Sequence, residues 1–237
     1  MAARTGTESL KPPTVVRVLP ICGIISSVLY IGADILAAAL YPGYDHTSQQ
    51  VSELSAIGAP TRPLWIAMSL VYPALVIAFA VGVWLSAGAK RSLRVTAILL
   101  VVFGVVAQLW LWFAPMHLRG TVALATDTPH IAFAGLQVLV MVLFMAFGSG
   151  ARGMGFRIYS ITTIVVMLVA GIVPSTQVQA IAAGQPTPWM GVIERVSVYL
   201  PVAWVGVLAG VLLTANSAAS ASAPPIPDEG ERAGSVI

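Results

Sequence analysis

Six long apolar runs constrain the fold of this chain more than any other feature of its sequence. A helix needs about 20 mostly apolar residues to cross the roughly 30 Å hydrocarbon layer of a bilayer. Runs of this kind occupy residues 15–40, 64–86, 95–114, 131–148, 158–174 and 191–214. They lack the period-two alternation of barrel strands. The sequence therefore predicts an all-α, six-transmembrane-helix bundle, whose fifth span is the shortest because Pro174 and Ser175 end it early.

The scarcity of charged residues supports a membrane protein. Hydrophobic residues make up 58% of the 237-residue chain, charged residues only 9%, and the mean hydropathy is +0.90. A soluble domain carries about 25% charged residues, so a water-soluble enzyme is excluded. The single cysteine, Cys22, excludes an internal disulfide and a thiolate metal cluster. The net charge of +3 comes from basic residues beside the apolar runs, which is typical of membrane spans and not of nucleic-acid binding.

Three segments are expected along the chain. They are a disordered cytoplasmic arm (1–14), a six-helix membrane domain (15–214) and a disordered cytoplasmic tail (215–237) that is rich in Ala, Ser and Pro. The small residues Ala37, Ala38 and Ala39 leave a cleaved signal peptide open as an alternative for the first span. Its apolar region is longer than the usual stretch of about 7–15 residues, and Asp34 inside it favours a retained helix.

The distribution of basic residues predicts the orientation in the membrane. One side carries eight of them: Arg4, Lys11, Arg17, Lys90, Arg91, Arg94, Arg152 and Arg157. The first, third and fifth connections carry only Arg62, Arg119 and Arg195. Because short loops rich in Lys and Arg stay in the cytoplasm, both termini are expected to be cytoplasmic in a multi-pass protein of the inner membrane.

The first outer connection contains the most informative polar sequence. Thr47 and Gln50 have the spacing of a capping box, and Gly58 followed by Pro60 would end a helix. This predicts a short interfacial helix in the first outer loop, folded back over the bundle. Glu53 in this helix is expected to point inward, toward one of the arginines Arg62, Arg119 or Arg195.

The same loop carries a resemblance to a known family. Residues 42–60 contain the core Gly-Tyr-Asp-His-x-Ser-Gln-x-x-Ser-Glu-Leu, which resembles the signature that follows the first span in the domain of unknown function 998 family of prokaryotic multi-pass membrane proteins. His130 at the start of the fourth span and Arg195 near the start of the last are also similar. Residues 127–129, Asp-Thr-Pro, depart from the Gly-rich approach of the family. The resemblance covers most of the six-span region and implies a fold and a location for a site, but no established activity.

Asp34 is the strongest single indication of a site. An acid inside a membrane span needs a partner or a water-filled pocket. Asp34 lies about 9 Å below the outer boundary at 1.5 Å per residue, and Arg195, one turn into the last span, lies at a compatible depth. An ion pair between them is predicted, with a structural role, proton coupling and ligand binding left open. Gly23, Ser27 and Ala38 share the helical face of Asp34, which is suited to close packing.

These residues suggest a polar site on the outer side that binds or handles a lipid or small molecule without a cofactor. The candidate ligand-binding residues are Asp34, Asp45, His46, Ser52, Glu53, His130, Glu194 and Arg195. Membrane lipids are the expected partners, together with an unidentified membrane protein, whereas nucleic acid is not. The tryptophans fall mostly near predicted span ends, as in an interfacial aromatic belt.

A membrane-embedded, metal-dependent hydrolase is the alternative function. His46, His117 and His130 would bind the metal, since histidine and carboxylate ligands suit zinc and a bound water would supply the nucleophile. The spacing of these histidines matches no metal motif, and the chain has no Gly-x-Ser-x-Gly elbow. Whether the protein is an enzyme stays open at this point.

Overall fold

The computed structural model describes residues 14–221, in which the regular elements are helices. The seven α-helices of this part are α1 (Thr14–Leu40), α2 (Arg62–Ser86), α3 (Arg91–Phe113), α4 (Thr128–Gly148), α5 (Met154–Thr176), α6 (Val178–Ala182) and α7 (Met190–Ala221). All except α6 are long and apolar enough to cross a membrane. An all-α chain with six candidate spans is therefore confirmed. The rest of the predicted arm and tail lies outside the described residues.

Two boundaries differ from those predicted. The fifth span is not the shortest, because α5 has 23 residues and α4 has 21. Pro174 lies in the last turn of α5, where the loss of one backbone hydrogen bond does not stop the helix. At the other end of the chain, α7 continues through residues 215–221, which the sequence assigned to the tail. Alanine is the strongest helix former, so this Ala-rich stretch extends α7 beyond its apolar part.

The spans pack in an order that leaves one loose contact. α1 packs against α2 and α7, α3 packs against α2 and α4, and α5 packs against α7. By contrast, α4 and α5 touch each other only sparsely. The interior between α3, α4, α5 and α7 is consequently less tightly filled than the α1–α2–α7 side.

The small and polar face predicted for α1 is used for close helix packing. A Cβ atom added to Gly23 would collide with the ring of Phe79 and approach the side chain of Ala209. One turn further on, the Ser27 hydroxyl donates to the carbonyl of Val202, at 2.7 Å. Helices α1 and α7 therefore lie almost in backbone contact, and this proximity sets the distance over which Asp34 can reach α7.

Trp204 departs from the predicted aromatic belt. Its side chain is fully buried in the middle of α7, where its ring packs against Phe144 and Phe156. Its indole N–H donates to the Ser160 hydroxyl at 2.9 Å, which satisfies the single polar atom of the ring. A tryptophan whose N–H has an internal partner can be buried in the core at little cost.

Three connections meet at one end of the helices, and we call this end the polar end. They are residues 41–61, 114–127 and 177–189. Backbone hydrogen bonds join them in pairs: Ile57 N to Met116 O (2.8 Å) and Gly120 N to Ile181 O (3.0 Å). These connections form a cap of interlocked loops and not three independent linkers.

The first connection contains one short helix, Val51–Ser55, which we call the loop helix. It is a 3₁₀ helix whose N-cap is Gln50, and Glu53 accepts a hydrogen bond from the Gln50 backbone N–H at 2.9 Å. The capping box predicted at Thr47 and Gln50 was therefore wrong by three residues. Thr47 instead takes part in a turn in which its N–H donates to the Asp45 carboxylate, at 2.9 Å. The interfacial position of the loop helix stays a prediction.

Candidate functional site

The predicted ion pair between Asp34 and Arg195 is confirmed, and it is bidentate. Nε of Arg195 lies 2.8 Å from Oδ2 of Asp34, and Nη2 lies 3.0 Å from Oδ1. Asp34 is completely buried and Arg195 is 4% exposed. The hydroxyl of Tyr199 also donates to Oδ2 of Asp34. This arrangement satisfies both carboxylate oxygens inside the apolar bundle, which a buried charge requires.

The remaining donors of Arg195 hold the first connection against α7. Nη2 donates to the Tyr44 hydroxyl at 2.8 Å, and Nη1 lies 3.1 Å from the carbonyl oxygens of His46 and Gln49. All three guanidinium nitrogens therefore have acceptors. The contact depends on Gly191, because a Cβ atom there would collide with the same two carbonyl oxygens.

A second bidentate ion pair joins all three connections of the polar end. Oε1 and Oε2 of Glu53 lie 2.7 and 3.0 Å from Nη2 and Nε of Arg119, which confirms that Glu53 points toward one of the predicted arginines. Nη1 of Arg119 donates to the Gln185 carbonyl at 2.9 Å and to the Thr187 hydroxyl at 2.8 Å. Because Glu53 is almost completely buried, this pair fixes the loop helix over the bundle.

Asp45 and His46, both predicted site residues, lie at the surface. The Asp45 carboxylate accepts from the Ser48 hydroxyl and the Thr47 N–H, and these hydrogen bonds lower its pKa. Nε2 of His46 lies 4.0 Å from Oδ2 of Asp34, while 48% of the His46 side chain is exposed. Partial burial and the nearby Arg195 charge lower the pKa of His46, so its imidazole is mainly neutral at pH 7.

The three histidines of the hydrolase alternative do not converge. His46 lies beside Asp34, His117 pairs with Asp127 (Nδ1 to Oδ1, 2.7 Å), and Nδ1 of His130 lies 3.0 Å from the indole nitrogen of Trp110. Within residues 14–221, no three His, Cys, Asp or Glu side chains form a group that could hold a metal ion. The metal site His46–His117–His130 is thus not formed, and the hydrolase alternative has no support from the site.

A central cavity of about 610 Å³ lies beneath the loop helix. Residues of all seven described α-helices line it, and most of them are apolar or aromatic. On the side where α4 and α5 touch only sparsely, its lining includes Ile131, Val138, Leu168 and Ile172, which are also exposed on the flank of the bundle. The cavity therefore opens sideways between two apolar helices, where the hydrocarbon of a membrane would lie.

Three of the predicted site residues line the central cavity: Ser52, His130 and Glu194. Oε2 of Glu194 accepts from the backbone N–H of Val51 at 2.7 Å, so this carboxylate links α7 to the loop helix. Two further buried residues line the cavity, Trp65 and Gln137. The indole N–H of Trp65 and the Oε1 atom of Gln137 have no hydrogen-bond partner in the described part of the chain. Unsatisfied buried polar atoms of this kind indicate a polar partner that the protein itself does not supply.

Sequence reasoning did not identify the aromatic lining of the cavity or Tyr44 and Tyr199 beside the ion pair. The pattern of α2 carried a usable signal, because Trp65, Met68 and Tyr72 recur at helical spacing and all line the cavity. The two tyrosines had no such signal. Their partners come from distant parts of the chain, and periodicity does not show which helices are neighbours.

The protein combines six candidate spans, a cap held by two bidentate ion pairs and a laterally open cavity. These features together define a multi-pass membrane protein whose polar end is covered by the cap. The family model described as "Protein of unknown function (DUF998)" matches residues 24–211, and the chain belongs to this family. The match confirms the resemblance carried by the first-loop motif. No curated protein and no solved structure matches the chain.

Proposed function

We propose that the protein binds an amphipathic small molecule, most simply a membrane lipid, in the central cavity. The observation that carries the proposal is the cavity itself: a space of about 610 Å³ with an apolar and aromatic lining and a few polar groups. Small-molecule sites in proteins usually have this composition. The apolar part of the ligand would lie between α4 and α5, and its polar part would lie near Ser52, His130 and Glu194.

The other predicted site residues support the cavity without lining it. Asp34 and Arg195 join α1, α7 and the first connection, and Glu53 fastens the loop helix to Arg119. We propose that these two pairs keep the roof of the cavity in place, while Asp45 and His46 shape the surface of the loop. In this proposal the protein binds a ligand and carries out no reaction.

Filling the cavity tests the proposal. Gly171 lies in α5 and lines the cavity, and a Cβ atom there would meet nothing within 4 Å, so Gly171→Leu adds bulk without a backbone clash. Native mass spectrometry of the full chain, after exchange into a delipidating detergent, should show a retained lipid for the wild type and its loss in Gly171→Leu. Gly32→Leu is the matched control, because Gly32 is an exposed helical glycine with equal free space outside the cavity. Equal lipid retention in all three proteins would contradict the proposal.

We also propose that the polar end faces away from the cytoplasm and that both termini lie on the cytoplasmic side of the inner membrane. The support is the excess of basic residues in the loops at the opposite end. In a Cys22→Ser background, a membrane-impermeant maleimide added to intact cells should label Thr47→Cys and leave Lys90→Cys unlabelled. The reverse pattern would contradict this orientation.

A further inference from the structure

Glu194 is a carboxylate that forms no ion pair in the described part of the chain. In the same residues its carboxylate accepts one hydrogen bond, from Val51 N to Oε2, and Oε1 has no donor. The two arginines of the polar end are already paired, Arg195 with Asp34 and Arg119 with Glu53. An acid inside a membrane span is costly unless a positive charge or polar group compensates it, so the surroundings of Glu194 are incomplete.

Aromatic rings line the cavity into which Glu194 faces. Tyr30, Trp65, Tyr72, Phe103 and Trp110 all belong to its lining. The ring of Tyr30 packs against two of the others, with centroids 5.7 Å from Trp65 and 5.2 Å from Tyr72. The faces of such rings carry negative electrostatic potential and attract cations, quaternary ammonium groups above all.

The cavity lining holds one carboxylate, Glu194, beside polar rings such as the Trp65 indole and the His130 imidazole. Its lining in the described part of the chain includes Glu194 and no lysine or arginine. The buried Oε1 of Gln137, which has no partner there, adds a second electron-rich oxygen among the lining residues. A ligand with an anionic group would meet repulsion here, whereas a cation would complete the surroundings of Glu194.

We infer that the cavity selects amphipathic cations, meaning apolar molecules that carry a protonated amine, a quaternary ammonium or a related onium group. Glu194 balances the charge of the ligand, and the aromatic rings surround its apolar part. The inference rests on the proposed function, because it assigns a ligand class to the same cavity.

Two probe ions of nearly equal size and shape test the inference. Tetraphenylphosphonium is a cation and tetraphenylborate an anion. Each is titrated calorimetrically into the full chain in micelles of an uncharged maltoside detergent, which carries no onium group, with empty micelles subtracted. We expect saturable binding of the phosphonium and none of the borate. Glu194→Gln keeps an acceptor for Val51 N but removes the charge, and it should weaken phosphonium binding by about tenfold or more.

Asp45→Asn is the charge-matched control, because it removes an acid of the same end that lies outside the cavity. It should leave phosphonium affinity unchanged, whereas Gly171→Leu should abolish binding. Size-exclusion chromatography checks that each variant is folded. If Glu194→Gln is not folded, Glu194→Asp takes its place: this variant keeps the charge and should keep phosphonium binding, and loss of binding in a folded Glu194→Asp would count against the inference.

Equal affinity for the two ions, or unchanged phosphonium affinity in Glu194→Gln, would overturn cation selection and leave the cavity as a general amphiphile site. Absence of saturable phosphonium binding would also overturn it. The lipid-retention experiment with Gly171→Leu decides the proposed function separately, so the two failures are distinguishable.

Discussion

Asp34 and Glu194 are both carboxylates inside candidate spans near the polar end, yet their surroundings differ. Asp34 has a bidentate arginine and a tyrosine hydroxyl, and no part of it is exposed. Glu194, the residue directly before Arg195, has one backbone N–H and faces the central cavity. The single arginine of this turn of α7 thus pairs with one acid, and the other acid forms no ion pair in the described part of the chain.

This difference separates structural charge from charge that is available to a ligand. A fully paired buried acid contributes to the position of helices and loops, and breaking the pair leaves an uncompensated charge. An unpaired acid beside a cavity costs stability in the empty protein and gains a partner when a suitable ligand binds. The contrast predicts that the two acids respond in opposite ways to loss of charge.

The largest expected effect comes from breaking the paired acid. Asp34→Asn leaves Arg195 buried without an anion and should cost about 3–5 kcal/mol of unfolding free energy. The double variant Asp34→Asn/Arg195→Gln should cost clearly less than the sum of the single variants. Unfolding of each protein in an SDS titration measures the cycle. Strictly additive costs would mean that the pair does not act as a unit.

The contact of α7 with the first connection should be nearly as sensitive. Gly191→Ala drives a methyl group into the carbonyl oxygens of His46 and Gln49, which also accept from Arg195, and it should cost about 1–3 kcal/mol. Gly210→Ala in the same helix meets nothing within 4 Å and should be neutral or stabilising. Thermal melts of the two variants side by side give the comparison, and equal melting temperatures would show that the loop is not docked on α7.

The unpaired acid should respond weakly or in the opposite sense. Glu194→Gln removes a charge from an apolar site and keeps an acceptor for Val51 N. We expect its unfolding free energy to stay within about 1 kcal/mol of the wild type, or to rise. The same SDS titration applies. A loss as large as that of Asp34→Asn would mean that Glu194 has a structural cation partner and would remove the contrast.

His46 should give the smallest effect, as a pH dependence. Its pKa is lowered in the folded protein from the usual 6.5, by partial burial and by Arg195. The unfolded chain therefore binds the proton more readily, so stability is retained above pH 6.5 and decreases as the pH falls below it. Melting temperatures between about pH 7 and pH 5 should fall less in His46→Gln than in the wild type. Identical pH profiles would show that His46 does not contribute.

Sequence reasoning was correct where a single helical span, or the depth of a residue along its helix, is enough to determine the structure. Hydropathy located the six spans, because burial in lipid requires long apolar runs whatever their neighbours are. Depth along the helix paired Asp34 with Arg195, since a buried acid and a buried arginine at the same level have few alternatives. The pairing of Glu53 was predicted only as a choice of three arginines, because loop geometry decides among them.

The cavity was missed because it depends on helix neighbours and not on any single segment. Its lining residues come from all seven described α-helices and the loop helix, and its opening exists because α4 and α5 barely touch. The predictions that Trp204 lies in an interfacial belt and that Thr47 caps a helix were wrong for a related reason. Ser160 and Asp45, which bond to them, make an internal alternative more favourable than the position that local pattern suggests.

Electron cryomicroscopy of the full chain in lipid nanodiscs tests most directly whether the polar end is a paired framework around a ligand site. In the wild type we expect elongated density in the central cavity, reaching from the α4–α5 opening to Glu194, with the Asp34–Arg195 pair intact above it. In Gly171→Leu the pair should remain and the density should disappear. Wild-type maps in which side chains close the cavity, or density that is unchanged in Gly171→Leu, would contradict a ligand site at this position.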